Sequence, residues 1–442
     1  MKYLNKNYLY IKMRIQTLLA LLLLSFIACD NYAVLVAGSN GYSNYRHQSD
    51  IFHMYQILKG KGVNPDNIIV FAYGDIADNT KNPFPGKMFN RPDGPDIYAG
   101  VKIDYIGKDV TPENFLAVLT GDADAVTIKD ERTTGKVLTS TKDDNIFIYF
   151  SDHGDKNLIC FPSKYLYADE LAEAFHTMYA KKMYKELVFY LEACYSGSMF
   201  KEELPANISI YTTTAANEKE SSWGEYCRDE ATVNGTLIGS CLGDEYSVRF
   251  MEDIDAKTDA ELKGYTLQQQ YEYLVSAVLG SHVMQYGNLT IAKVRTVADF
   301  VTKQSTRFYR WVKNGFKKLL PPLKTPTKNK INNEFYRLEW YRTQAETSND
   351  LNAEREYYDE IMAQGRVTKI FELFNKQFDL KEIDYNKKVD YDCYRRVTKA
   401  YENRCGMLID RDHRFMKNIA NFCTKGINPR KAERTFKYIC EE

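Results

Sequence analysis

The chain has 442 residues, of which 44% are hydrophobic and 14% aromatic, with 59 basic and 59 acidic side chains and therefore no formal net charge. This composition excludes a disordered, collagen-like or low-complexity chain, and the length indicates two or three domains. A chain without an excess of basic residues is also not expected to be a general nucleic-acid binder.

The charges are unevenly distributed along the chain. Residues 1–29 carry a net charge of +4, residues 30–290 one of −15 and residues 291–442 one of +11, of which +10 lies within residues 291–330. Chance variation is one explanation, but so large a local excess favours a basic segment that contacts the acidic body. We expect this attraction to hold near neutral pH and to weaken as acid protonates carboxylates.

The N-terminal segment has the pattern of a secretory signal peptide. Four basic residues precede an apolar run from Ile15 to Cys29, which is too short for a comfortable membrane span. We expect residues 1–29 to be removed on secretion, with a membrane anchor as the alternative. No other segment is apolar enough to span a bilayer, so the mature chain is expected to have no membrane span.

Residues 30–290 are predicted to alternate between buried strands and helices. The predicted strands are Tyr32–Ala37, Asn67–Ala72, Asn145–Phe150, Leu187–Leu191 and Ile208–Thr212, and the predicted helices are Gln48–Leu58, Thr111–Leu119 and Ala168–Tyr179. Strands rich in β-branched and aromatic residues that alternate with helices predict an α/β fold, a mostly parallel sheet flanked by helices. Residues 73–109, rich in Pro, Gly and Asp, are predicted to form a long surface loop.

The C-terminal part of the chain is organised differently. Residues 291–330 are basic and contain several prolines, which indicates an exposed connector. Residues 331–442 are rich in charged residues with apolar residues at helical spacing, which predicts a small all-helical domain.

Two of the predicted strands end in reactive side chains. His153 follows the third predicted strand and Cys194 follows the fourth. If these strands are neighbours in a parallel sheet, both side chains lie at its carboxyl edge, where active sites of such sheets are found. An imidazole that moves the proton, a thiolate that attacks a carbonyl and the backbone N–H groups of Gly154 and Cys194 would together suit a thiol protease. A structural role for each residue alone is the alternative.

The other cysteines point to a disulfide-bonded, secreted protein. Cys227 and Cys241 flank one loop, while four more cluster near the C-terminus and allow three pairings, namely Cys393, Cys405, Cys423 and Cys440. Three triplets match the glycosylation acceptor pattern, at Asn207, Asn234 and Asn288. His153, Cys194 and the other cysteines show no close pair at zinc spacing, so we expect no metal and no other cofactor.

Several separated motifs are more specific than the His–Cys pairing. They are residues 39–50, 90–96, 114–119, 151–154, 192–198, 213–217 and 242–247. In this order they resemble the legumain family, the asparaginyl endopeptidases, from about residue 31 to 290. The four C-terminal cysteines extend the resemblance to the end of the chain.

This resemblance implies a caspase-like α/β peptidase domain over residues 30–290. It implies that Cys194 is the nucleophile, that His153 is the general base and acid, and that Asn44 supports the histidine. It further implies cleavage of peptides and proteins after Asn, and after Asp at lower pH, in a lysosome, a vacuole or the extracellular space.

The residues that match the specificity pocket of the family are Arg46, Glu192 and Asp244, with Ser221 along the wall. The chemistry suits an Asn side chain, whose carbonyl would accept from Arg46 while its NH₂ group donates to the two carboxylates. A substrate Asp would be repelled by those carboxylates until it is protonated. An ordinary ion-pair network is the alternative explanation for these three charged residues.

The resemblance also implies roles for the C-terminal residues 291–442. Residues 331–442 would be an autoinhibitory pro-domain, residues 291–330 an activation linker, and the family pairing would give Cys227–Cys241, Cys393–Cys423 and Cys405–Cys440. The candidate self-processing sites are Asn314, Asn329, Asn332 and Asn333. Inhibitors of the cystatin type are a further expected partner.

One position departs from the family pattern. Many members carry an acidic residue directly after the nucleophile, where this chain has Tyr195. The loss of a charge beside the thiol bears on the balance between hydrolysis and peptide ligation. Two other functions are the alternatives, a transamidase that attaches glycosylphosphatidylinositol anchors and a catalytically silent binding protein.

Overall fold

The computed structural model describes residues 29–303, 329–348, 350–406 and 412–441. The strands are β1 (Asn31–Ala37), β2 (Ile68–Ala72), β3 (Tyr105–Ile106), β4 (Asn145–Ser151), β5 (Gly154–Asp155), β6 (Leu158–Phe161), β7 (Lys164–Tyr167), β8 (Glu186–Glu192), β9 (Ile210–Thr214), β10 (Trp223–Glu225), β11 (Thr232–Val233), β12 (Thr236–Leu237), β13 (Gly243–Asp244), β14 (Met284–Gly287) and β15 (Ile331–Asn332). The helices are α1 (Tyr45–Gly60), α2 (Pro112–Thr120), α3 (Ala168–Ala180), α4 (Glu245–Asp255), α5 (Asp259–Leu262), α6 (Leu267–Ala277), α7 (Leu289–Val294), α8 (Ala298–Val301), α9 (Tyr336–Thr347), α10 (Leu351–Phe378), α11 (Tyr391–Cys405), α12 (Met416–Cys423) and α13 (Pro429–Glu441).

The central sheet has seven strands in the order β14-β9-β8-β4-β1-β2-β3. All neighbouring pairs are parallel except β14 and β9. The inner strands consist almost entirely of buried residues, as expected for a parallel sheet covered on both faces. The predicted α/β fold with a mostly parallel sheet is confirmed.

Helices pack on both faces of this sheet. Along β1, Leu35 belongs to the apolar cluster that contains Phe52 of α1, whereas Val34 belongs to the cluster that contains Phe115 of α2 and Phe175 of α3. This alternation follows from the two-residue period of a strand, whose successive side chains point to opposite faces. The carboxyl ends of β4 and β8 therefore emerge between two helical layers, where a site can be built.

Two local predictions differ from the structure. The predicted strand at Ile208–Thr212 begins only at Ile210, because Ser209 adopts a left-handed conformation with a φ of 55° that interrupts an extended chain. The predicted surface loop at residues 73–109 contains the short edge strand β3, and its Met88 and Ile97 side chains are buried in the core. This segment is therefore partly a structural element of the body.

The predicted connector does not begin at residue 291. Helices α7 and α8 lie within residues 289–301, and Ile291 and Phe300 are buried against the body. Residues 289–301 carry two basic side chains and one acidic side chain, so little of the basic excess lies there, and their apolar side chains pack against the body. The remainder of the predicted connector, residues 304–328 with Asn314, lies outside the described residues.

The C-terminal region is helical except at its start. Residues 331–332 form β15, which pairs with the body, so the predicted all-helical domain at residues 331–442 needs this correction. Helices α10 to α13 surround a core of stacked and edge-packed aromatic rings, in which Phe374 and Phe436 stack with centroids 4.7 Å apart. Within the described part of the chain, no helix is both long and apolar enough to cross a membrane.

Candidate active site

The two reactive side chains lie beyond matched positions of neighbouring strands. In the parallel pairing of β4 with β8, Ser151 is opposite Glu192, and His153 and Cys194 each follow by two residues. The backbones stay close beyond the strands, because a Cβ atom at Gly154 would lie only 2.7 Å from the carbonyl oxygen of Cys194. The sheet therefore brings His153 and Cys194 to the same edge.

The imidazole of His153 is oriented by an amide side chain. Its Nε2 atom lies 3.0 Å from Oδ1 of Asn44, and Nδ2 of Asn44 donates to the carbonyl of Asn40 at 2.9 Å. An amide oxygen only accepts hydrogen bonds, so this contact requires a proton on Nε2 of the neutral ring and makes Nδ1 the basic atom. Asn44 precedes α1, in the loop that follows β1.

The thiol of Cys194 is shielded from solvent. The residue is 3% exposed, and burial, with the Glu334 carboxylate adding to the effect, raises its pKa to about 12. Its sulfur lies 3.9 Å from the Ser222 hydroxyl. A thiolate is therefore strongly disfavoured in this state, and a thiol is a poor nucleophile.

A strand from the C-terminal region runs along the cleft. Ile331 pairs with Gly224 and Asn332 with Trp223 in an antiparallel ladder between β15 and β10. The N–H of Asn333 extends the ladder by donating to the carbonyl of Ser222 at 3.1 Å. An extended segment added to an open strand edge is the way that many proteins bind peptides.

The side chain of Asn333 fills a buried polar pocket. Its Nδ2 atom donates to Oδ1 of Asp244 at 2.7 Å and to Oγ of Ser222 at 3.0 Å. The Nε atom of Arg46 donates to the same Asp244 oxygen at 3.0 Å, and neither charged side chain is exposed. The ring of Tyr336, the first residue of α9, covers the guanidinium of Arg46 at 4.0 Å.

The predicted pocket residues divide into two groups. Asp244 accepts from the Asn333 amide, whereas Arg46, which was expected to donate to the carbonyl oxygen of the amide, donates to Asp244. Glu192 instead accepts from the N–H and hydroxyl of Ser247, and Ser221 donates to Glu334.

Sequence reasoning did not identify Ser222 or Asp50 as pocket residues. The position of Ser222 beside the expected wall residue Ser221 was the only signal for it. Asp50 lies beneath the pocket, where its carboxylate accepts from Nδ2 of Asn90 at 2.8 Å.

The floor of the pocket is rich in buried acids. Burial raises the pKa values of Asp50, Glu192 and Asp244 above their usual range. Arg46 is bonded to only one of them, Asp244. The pocket therefore favours a neutral side chain that donates hydrogen bonds and disfavours an additional carboxylate.

A second polar cluster lies on the other side of Asn333. Glu334 accepts from the hydroxyl of Tyr195 at 3.1 Å and pairs with Lys417 from α12. The backbone N–H of Lys417 donates to Asp155 at 2.8 Å, and burial raises the pKa of Asp155 to about 7. Tyr195, which departs from the family pattern, thus contacts the residue that follows Asn333.

Comparison with known proteins agrees with this geometry. Residues 31–303, more than half of the chain, match the Peptidase C13 family. The chain belongs to this family. Residues 350–440 match the legumain prodomain. A C13 peptidase with this prodomain is a cysteine endopeptidase made as a zymogen, and its own C-terminal region is a partner of its catalytic body.

Two curated relatives and one solved structure illustrate the similarity. The vacuolar-processing enzyme of Citrus sinensis is 37% identical over 93% of this chain and 85% of its own length. The legumain of Homo sapiens is 48% identical over 60% of this chain and 58% of its own length. Caspase-1 from Spodoptera frugiperda covers 59% of this chain and 87% of its own chain at 10% identity, with a TM-score of 0.33.

The cysteines of this C13 peptidase pair as the resemblance implies. The structure contains disulfides Cys227–Cys241, Cys393–Cys423 and Cys405–Cys440. The first closes the loop beside β10, and the other two tie α11 to α12 and α13. Cys194 is in none of them, so its sulfur keeps its thiol chemistry.

The remaining predicted residues lie outside the pocket. Asn329 donates to Asp229, and Asn332 accepts from the N–H of Glu334 at 2.9 Å. Of the three glycosylation candidates, the side chains of Asn207 and Asn234 are exposed, whereas Asn288 is half-buried and caps α7.

One side-chain cluster has ligand atoms close enough for a metal ion. Within the described ranges, His47, Asp152 and His153 place one ligand atom each within 4.8 Å of one another. His47 is bonded to Oγ of Ser39 at 2.7 Å, and His153 contacts Asn44. Burial lowers the pKa of His47 well below its usual value, so its ring is neutral. Spacing along the chain could not reveal this cluster, since it forms between His47 of α1 and the residues that follow β4.

Proposed function

We propose that this peptidase cleaves on the carboxyl side of asparagine and is held inactive by its C-terminal residues until it cuts them. The observation that carries this proposal is the binding of Asn333. Its backbone extends the ladder on β10, its amide occupies the pocket of Asp244, and the Ser222 hydroxyl it contacts lies 3.9 Å from the Cys194 sulfur.

In the proposed reaction the Cys194 sulfur gives its proton to His153 and attacks the carbonyl carbon of the substrate Asn. Backbone N–H groups of Gly154 and Cys194 stabilise the oxyanion. The C–N bond breaks as His153 returns the proton to the leaving amine, which leaves a thioester. Water then attacks the thioester and gives a proton to His153, and the carboxyl product and the thiol are released. Asn44 keeps the imidazole oriented throughout.

The proposed specificity follows from the donors and acceptors of the pocket. An Asn amide supplies two N–H donors to Asp244 and Ser222, and the neighbouring buried acids Asp50 and Glu192 disfavour a further negative charge. A substrate Asp would have to be protonated to bind, so its cleavage requires lower pH.

We propose that the chain is divided into a signal (1–29), a peptidase body that begins at residue 30 and includes α7 and α8, a linker after them and a pro-domain (331–442). Among the candidate processing sites, Asn333 comes first because its side chain is in the pocket. Asn314, Asn329 and Asn332 are secondary candidates, and cleavage there would trim the linker. A cystatin-type inhibitor would use the cleft that the C-terminal region vacates.

We propose an acidic compartment, a vacuole or lysosome, as the place of action. The name of the plant relatives, vacuolar-processing enzyme, supports this compartment, and three disulfides fit the secretory pathway. Glycans at Asn207 and Asn234 would lie on the surface. Peptide ligation, in which an amine replaces water at the thioester, is a second outcome of the same intermediate.

The test uses purified full-length chain and a fluorogenic Ala-Ala-Asn peptide amide. Incubation at about pH 4 should convert the chain to an active form that cleaves the peptide, and Cys194→Ala should abolish both events. Cys160→Ala, which removes a second buried cysteine that is not the proposed nucleophile, should leave activity in place. Absence of thiol-dependent activity at any pH contradicts the proposal. We also expect attraction between the basic segment and the acidic body to hold the C-terminal region in place near neutral pH. Activation that is equally fast at pH 7 and pH 4, and insensitive to salt, contradicts this expectation.

A further inference from the structure

A partly buried cation lies three residues before Asn333. The side chain of Lys330 is only 13% exposed, and its ammonium group pairs with Glu245 and lies 3.8 Å from Oε2 of Glu225. The two carboxylates are 1% and 0% exposed. A lysine in an exposed linker normally keeps its charged group in water. The low exposure of Lys330 therefore indicates that the body has a specific binding site for its ammonium group.

The two acids are held in place by the body and not by the lysine. The carboxylate of Glu245 accepts the backbone N–H groups of Leu279 at 2.7 Å and Gly280 at 3.0 Å. Glu225 is the last residue of β10 and accepts from Arg249 at 2.7 Å. Both side chains are therefore positioned before any ligand arrives.

The charge of this site is unbalanced without Lys330. Arg249 bonds Glu225 and lies 3.9 Å from Glu252, so two carboxylates share one guanidinium, while the cation paired with Glu245 is Lys330. Lys330 changes the formal charge of these three carboxylates and Arg249 from −2 to −1. Buried carboxylates without a cation are costly, so the site favours a ligand that supplies one.

The backbone register places this site in the path of a substrate. Ile331 and Asn332 pair with β10, and Asn333 enters the pocket of Asp244. A substrate that adopts the same ladder carries its third residue before the cleaved Asn to the position of Lys330. Trp223 packs against Gly280, where a Cβ atom would approach its ring to 2.5 Å, and this contact holds the two walls of the site together.

We infer that Glu225 and Glu245 form a cation subsite that selects peptides with Lys or Arg at the third position before the cleaved Asn. This inference rests on the proposed cleavage after Asn and names the substrate class more narrowly. Lys330 is the first occupant, and its departure after cleavage at Asn333 frees the subsite for other peptides.

The test compares three fluorogenic peptides on the acid-activated enzyme, with Lys, norleucine or Glu placed before Ala-Ala-Asn. Norleucine matches the length of lysine without its charge. A charge-assisted contact with buried acids should raise kcat/KM for the Lys peptide roughly tenfold or more over norleucine. The Glu peptide should be the slowest, and high salt should reduce the differences.

Two variants assign the effect to the subsite. Glu245→Gln should bring the Lys and norleucine peptides to within about twofold of each other, while Glu272→Gln, on the exposed face of α6, should leave their ratio unchanged. Equal kcat/KM for all three peptides on the unmodified enzyme overturns the inference, whether or not the variants fold. If no peptide is cut after Asn, the proposed function fails instead, so the two failures are distinct.

Discussion

Replacing Asn333 by Asp tests the pocket with the smallest change in shape. The substitution exchanges the Nδ2 donor for an oxygen at the position that lies 2.7 Å from Oδ1 of Asp244 and 3.0 Å from Oγ of Ser222. Two ionised carboxylates repel each other at such a short distance. The new carboxyl group at position 333 and that of Asp244 must therefore take up one proton before the segment can bind as it does in the structure.

The size of the effect follows from the contacts that are lost. One hydrogen bond to a charged acceptor is worth about 1.5–3 kcal/mol, which corresponds to roughly 10- to 150-fold in rate. We expect Asn333→Asp to be cut after residue 333 about 100-fold more slowly than the natural chain at pH 7. The rate should then rise about tenfold for each unit of pH decrease until the shared proton is bound.

The assay is intact-mass spectrometry of purified full-length chain over time, from pH 7 to pH 4. Asn332→Asp is the matched control, because the Asn332 side chain accepts from the Glu334 N–H and lies outside the pocket, and an Asp side chain retains that acceptor. Cleavage of Asn333→Asp after residue 333 at the natural rate at pH 7 would refute the reasoning. Equal slowing of both variants would also refute it.

Three further predictions concern the state in which the C-terminal region covers the cleft. Iodoacetamide should alkylate Cys194 far more slowly before activation than after it at pH 8, since burial raises the thiol pKa to about 12; equal rates would contradict this. Tyr336→Phe strands the Cys241 N–H that now donates to the Tyr336 hydroxyl at 2.9 Å, so this variant should activate at least several-fold faster than the exposed Tyr438→Phe control, as a loss of about 1–3 kcal/mol implies. Burial raises the pKa of Asp155 to about 7, above the value of about 3.9 in an unfolded chain, so its stabilising contribution is full below about pH 4 and is lost as the pH rises through 7. Asp155→Asn should therefore reduce the difference in urea midpoint between pH 5 and pH 8, and an unchanged difference would exclude this role.

The strands and helices of the body could be predicted because their signals are local. Continuous apolar runs such as the one at β4 and helix starts such as Thr111 before Pro112 depend only on neighbouring residues. The parallel sheet then follows from their alternation, and with it the meeting of His153 and Cys194 at one edge. Errors arose where a local conformation intervenes, as at Ser209, or where scattered apolar residues pack in a basic stretch, as at Ile291.

The hydrogen-bond partners within the site could not be predicted from local sequence signals. Arg46 and Asp244 were predicted from the resemblance, but the Asn333 amide has Ser222 as a second partner beside Asp244, and Glu192 bonds Ser247. Hydrogen-bond partners of this kind depend on which atoms the fold brings within about 3 Å. No spacing in the sequence encodes such distances.

By itself, the sequence determined the type of fold and the presence of a basic segment behind an acidic body, and it predicted the reactive pair and a secretory signal. Only the tertiary structure decided which of the described candidates, Asn329, Asn332 and Asn333, enters the pocket, because the antiparallel pairing of Ile331 with Gly224 sets the register of the whole segment. That register also carries Lys330 to Glu225 and Glu245, residues 105 and 85 positions away along the chain. A one-residue slip of a strand would exchange which side chains face the body, and the burial of both Asn333 and Lys330 fixes the alignment.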